Sequence, residues 1–95
     1  MQKEVGYADH QHVLRHHFRM LFMDNQQHHL PHIHVEYQGL KAVLEIPSGT
    51  LLEGDLPNKK LHLLQAWIDI HEEELMANWS LAVNGEPVFP IKPLQ

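Results

Sequence analysis

The stretch His28-His29-Leu30-Pro31-His32-Ile33-His34-Val35-Glu36-Tyr37 decides how this chain folds. After Pro31, polar and apolar residues alternate strictly, and alternation is the signature of a strand with one buried face. Residues two apart share a face, so His32, His34 and Glu36 line one surface while Ile33, Val35 and Tyr37 line the other. The stretch also holds four of the ten histidines. A sheet with a histidine-bearing face is the first expectation.

A hairpin register follows from it. With Gln38-Gly39 as a two-residue turn, Gly supplies the positive φ that such turns need. Tyr37 then faces Leu40, Val35 faces Ala42, and Ile33 faces Leu44. The other surface pairs Glu36 with Lys41, His34 with Val43, and His32 with Glu45. Apolar meets apolar on one side and opposite charges meet on the other. A slip of one residue would move every side chain to the wrong face.

Upstream, residues 1–12 lack periodicity and read as a loose arm. The segment from Val13 to Met23 reads as a long strand, with Phe18, Met20 and Phe22 on one face and His17, Arg19, Leu21 and Met23 on the other. Downstream, Ile46-Pro47-Ser48-Gly49 marks a turn, and Thr50 to Glu53 a short fourth strand. Leu56-Pro57 opens a helix that Asp55 or Asn58 can cap. From about Pro57 to Val83 the period is helical, with Leu61, Leu64, Ile68, His71, Leu75, Trp79 and Ala82 on one stripe. Glu72-Glu73-Glu74 reads as a solvated face, and Asn84-Gly85 as the stop. Leu63, Trp67, Ile70 and Leu81 widen the apolar surface beyond that stripe, so the arm, the tail or another chain must cover them. The tail, residues 86–95, holds Pro87, Pro90 and Pro93 and runs extended. The expected fold is α+β: one domain over residues 1–95, with an antiparallel sheet of three to four strands packed on one long helix of the C-terminal half.

Composition narrows the function. With no cysteine, disulfides, thiolate metal sites and cysteine nucleophiles are excluded. No run approaches the ~20 apolar residues of a membrane helix, so a soluble cytoplasmic protein is expected. A net charge of −5 with neutral histidines argues against broad nucleic-acid binding, which comes from neutralising phosphates, but leaves room for a small basic site.

The chain resembles a family of small bacterial proteins, the DhiT-like proteins. Their signature joins an Arg/aromatic strand, an Asp-His-x-Pro-Pro-His-x-His-Val block, and a Leu-Pro-led helix carrying Trp, His-x-x-Glu-Leu and Asn-Trp. The matches here include Arg19 to Phe22, Asp24, His28, Pro31 to Val35, Leu56-Pro57, Trp67, His71, Glu74-Leu75, Asn78-Trp79 and Gly85, and the resemblance spans residues 15–94. Leu30 stands where the pattern has its first proline, Asn25-Gln26-Gln27 lengthens the loop after Asp24, and the N-terminal arm is long. Members are described as toxins of a two-component toxin–antitoxin pair. The resemblance therefore implies action in the cytoplasm and a small cognate antitoxin protein as partner. It brings no catalytic residues with it.

Three roles are open to the chain, the first two of them on the histidine face. The first is a divalent transition metal such as Zn or Ni, held by His32 and His34 with His17, or with His28 and Glu45. His71 is set aside as a ligand because its stripe packs on the opposite face. The second is acid–base cleavage of an RNA phosphodiester. His32 and His34 would divide the acid and base roles, Arg19 or Lys41 would hold the phosphate, and Glu36 or Glu45 would orient an imidazole. The third is a module without chemistry, binding a partner or a second copy through Leu63, Trp67, Ile70 and Leu81. Against all three stands the plain reading of His32 and His34 as ordinary solvated strand residues. His-Ile-His-Val echoes the histidine-triad nucleotide hydrolases, but Glu36 occupies the third histidine's place. The expected function is a toxin component acting through the histidine face on RNA, with a non-enzymatic metal- or ligand-binding or interaction module as the alternative.

Overall fold

A computed structural model describes residues 12–13, 18–22 and 30–92. The expected arm up to residue 11, and the candidate ligands His17 and His28, lie outside the described residues. The strands run antiparallel in chain order: β1 (His12–Val13), β2 (Phe18–Leu21), β3 (His32–Tyr37), β4 (Leu40–Glu45) and β5 (Leu51–Gly54). Four strands of four to six residues carry the sheet, and the two-residue β1 extends its β2 edge. The strand expected from Val13 to Met23 is described only as β1 and β2.

The β3–β4 hairpin adopts the expected register at all six pairs, from Tyr37 opposite Leu40 to His32 opposite Glu45. Gln38 (φ 47°) and Gly39 (φ 85°) are both left-handed. That is the turn whose twist matches two flanking strands. β2 pairs Phe18 with Tyr37 and Met20 with Val35, so these side chains join Ile33, Ala42 and Leu44 on one buried face. The Phe18 and Tyr37 rings lie 4.8 Å apart.

The single helix expected over residues 57–83 is two: α1 (Asn58–Ile70) and α2 (Glu72–Val83). Residue His71 leaves the helical well, at φ −106° and ψ 27°. The ladder survives on both sides, from His71 N–H to the Trp67 carbonyl (3.0 Å) and from Leu75 N–H to the His71 carbonyl (2.9 Å). His71 Nδ1–H donates to Glu74 Oε1 at 2.6 Å. His71 and Glu74 thus hold the N-cap and N3 positions of α2, the places a capping box joins. Glu72, Glu73 and Glu74 form the first turn, where carboxylates meet the positive end of the helix dipole. Those three residues are a helix start as well as a solvated face.

At the head of α1 the cap also differs from expectation. Neither Asp55 nor Asn58 caps; Pro57 holds the N-cap position with no side-chain hydrogen bond. The Asp55 N–H instead donates to the Lys41 carbonyl at 3.2 Å, tying the exit of β5 to β4.

Of the expected stripe, Leu64, Ile68, Leu75 and Ala82 are buried, and Leu61, His71 and Trp79 are half-buried. The tail covers much of the wider apolar surface. Trp67 Nε1–H donates to the Lys92 carbonyl (2.9 Å). Buried Asn78 makes a reciprocal pair with Phe89: Nδ2–H to its carbonyl (2.8 Å), and Phe89 N–H to Oδ1 (3.0 Å). Val88, just before the first anchor, and Ile91, between the two, enter the core. Of the four residues considered for a second copy, Trp67 is buried, Leu63 and Leu81 pack on the core, and Ile70 stays 75% exposed. No helix among the described residues is long and apolar enough to cross a membrane.

Candidate functional site

The face of the sheet opposite the core is built in rungs. One runs Arg19–Glu36–Lys41 across β2, β3 and β4. The next runs Leu21–His34–Val43–Glu53 and reaches β5. A third sets His32 beside Glu45. Strand alternation explains why these side chains share a face, and register explains why they are neighbours.

An open groove of about 280 Å³ lies over the first two rungs, lined by His34, Glu36, Lys41, Val43, Glu53 and Gly54. That volume sits at the small end of ligand sites, which run from roughly 300 to 1,000 Å³. Among the described residues no ion pair joins Arg19, Glu36 and Lys41. Arg19 and Lys41 are exposed and Glu36 is half-buried, so the two cations flank one carboxylate at the solvent boundary.

Glu53 is the groove residue that reading the sequence left without a role. Its placement depends on a β-bulge: Leu44 pairs with Leu51, but Val43 pairs with Glu53, so Leu52 is the extra residue. Without the bulge, Leu52 would oppose Val43 on the outer face, and Glu53 would fall opposite Ala42 on the core face. The inserted residue re-aims the strand end, which is what bulges beside functional sites do. Gly54 completes the closure at φ 84°, where a Cβ would collide with the Lys41 carbonyl oxygen and lie 2.8 Å from Ala42 Cα. The signal was present as Leu51-Leu52, two apolar residues in a row where alternation permits one.

His32 departs from its expected setting. It shares a face with His34, their rings 5.3 Å apart, but it does not project into open space. Trp79 of α2 covers it at 4.8 Å, and the residue is fully buried. At this end of the sheet the outer face is not clear of the helices. His32 Nδ1–H donates to the Leu30 carbonyl at 2.7 Å. A carbonyl can only accept, so the neutral ring keeps its proton on Nδ1 and its lone pair on Nε2.

The other candidates fall as follows. His34 is half-buried and lines the groove; its neighbour on β2 is Leu21, not His17. Glu45 accepts a hydrogen bond from Ser48 Oγ at 2.5 Å. His71 packs on Trp67, ring to ring at 5.1 Å, and serves the helix junction. Among the described residues, no group of three or more His, Asp or Glu side chains is placed to hold a metal ion. The groove therefore gathers Lys41, Glu36, Glu53 and one imidazole, with Arg19 on the Glu36–Lys41 rung and His32 behind His34.

Residues 17–80 match a family model described as a domain of unknown function, DUF4160. No curated protein and no solved structure matches the chain.

Proposed function

The chain belongs to the DUF4160 family, and from that premise we propose that it is the toxin of a bacterial toxin–antitoxin pair, cleaving RNA in the cytoplasm and restrained by a small antitoxin protein. The observation that carries the reading is the groove over the first two rungs, where an imidazole, two carboxylates and an ammonium line one opening. Phosphodiester cleavage needs a proton acceptor, a proton donor and a cation beside the phosphoryl oxygens. His34 is the imidazole within reach of a bound ligand, and Lys41 with Arg19 supplies the positive charge. His32, sealed under Trp79, cannot meet a substrate directly; its ring backs that of His34 and helps to fix it. An acidic protein of net charge −5 would hold RNA through few phosphate contacts, as a compact groove allows.

Expression in a bacterial host, with and without the neighbouring gene, tests this reading. Wild-type protein should arrest growth and degrade RNA, the neighbour should relieve both, and His34→Ala should abolish both. Normal growth at full expression of the wild type would end the proposal.

A second reading is favoured by His32 alone. Donation of one ring N–H to a backbone carbonyl is the arrangement that orients metal-ligating imidazoles. His32 and His34 would then bind Zn or Ni, completed by His17 or His28. Metal analysis of protein purified without a nickel column decides it: stoichiometric metal that His32→Ala removes supports the site, and a metal-free, fully stable protein argues against it.

A further inference from the structure

We infer that Glu53 is the proton acceptor of the groove and His34 its proton donor, in a cleavage that uses the RNA's own 2′-hydroxyl as nucleophile. The inference rests on the RNA-cleaving reading above and names the reaction that reading leaves open. In-line attack puts the entering and departing oxygens on opposite sides of phosphorus, so acceptor and donor must stand on opposite flanks of the phosphate. His34 on β3 and Glu53 on β5 share a rung with only Val43 between them. Strands lie about 4.8 Å apart, which sets their backbones roughly 10 Å from each other. That gap suits a phosphate held between two inward-reaching side chains. The next rung brings Lys41 to the same opening from β4 and sets Arg19 beside it on β2, with Glu36 between them on β3. Glu36, flanked by both cations, steadies them; Glu53, on the imidazole's rung, faces the reacting centre.

The bulge is what sets Glu53 on the rung of His34. It costs a ladder pairing at the sheet edge, and its effect is to carry one carboxylate from the core side to the groove. Gly54, which allows β5 to close on the Lys41 backbone, keeps that carboxylate beside the ammonium-bearing strand.

In the proposed step the ribose 2′-oxygen attacks phosphorus, the O2′–P bond forms and the P–O5′ bond breaks. The 2′-hydroxyl proton passes to the Glu53 carboxylate, and the His34 imidazolium gives its proton to the departing 5′-oxygen. The products are a 2′,3′-cyclic phosphate and a 5′-hydroxyl end. Proton exchange with solvent resets both side chains.

The test incubates the full-length protein with a mixed-sequence RNA oligonucleotide and with its 2′-O-methyl counterpart, reading product ends by mass spectrometry. Wild type should give cyclic-phosphate and 5′-hydroxyl ends and leave the 2′-O-methyl strand intact. Glu53→Gln preserves the size of an exposed side chain, and its melting curve should match wild type. It should lower kcat about a hundredfold or more. Unaltered kcat in Glu53→Gln, or products with 5′-phosphate ends, would overturn the assignment while leaving RNA cleavage standing. No cleavage of RNA by wild-type protein that still arrests growth would overturn the RNA-cleaving reading and this inference together.

Discussion

The two faces of the central sheet come from the same strands and answer to different physics. On the inner face, Ile33, Val35 and Leu44 are fully buried and meet Leu64, Ile68 and Leu75 of the helices in one core. On the outer face, from the alternate positions of the same strands, stand His34, Glu36 and Lys41, half-buried or exposed around a groove. The inner side chains are held by close packing, where a lost methylene leaves a cavity. Glu36 and Lys41, at the solvent boundary, are placed by register, so their chemistry can change with little effect on folding. A sheet of this kind separates the residues that keep it folded from those available for work, and the separation can be measured.

The largest effect should come from the inner face. Leu44→Ala is expected to cost about 2–5 kcal/mol in urea denaturation, the transfer energy plus the cavity left behind. Next comes the tail anchor: Asn78→Ala strips partners from the Phe89 N–H and carbonyl and should cost about 1–3 kcal/mol. Hydrogen exchange should show residues 86–92 opening earlier in that variant. At the helix junction, Glu74→Ala removes one carboxylate from the first turn of α2 and the partner of His71, for about 0.5–1 kcal/mol. The smallest effect on stability belongs to the outer face, where Lys41→Ala should fall within about 0.5 kcal/mol of wild type. It should nonetheless lose most of the growth arrest. A Lys41→Ala cost as large as that of Leu44→Ala would erase the distinction between the faces.

The hairpin was legible because five of its six pairs obey one of two rules, apolar opposite apolar or a basic or imidazole side chain opposite a carboxylate; only His34 opposite Val43 does neither. Few registers satisfy both. The helix break at His71 was hidden because the helical period runs straight through it and neither Gly nor Pro marks the place. Its signal, three glutamates in a row, is equally a solvated face. The bulge at Leu52 moves Glu53 by a single position, and pattern reading resolves face but not insertion. The burial of His32 was missed for a related reason. Alternation tells which surface a side chain leaves by, and says nothing of whether Trp79 reaches round the sheet's end to cover it. Nothing in the helical period around Asn78 marks the tail backbone that its amide binds.

One measurement bears on the outer face as the working surface: growth of a bacterial host expressing His34→Ala, beside wild type and with soluble yield and melting temperature recorded for each. The variant should accumulate as folded protein at wild-type levels and leave growth unaffected, while wild type stops it. Full growth arrest by a well-folded His34→Ala would mean that the activity lies somewhere other than this groove.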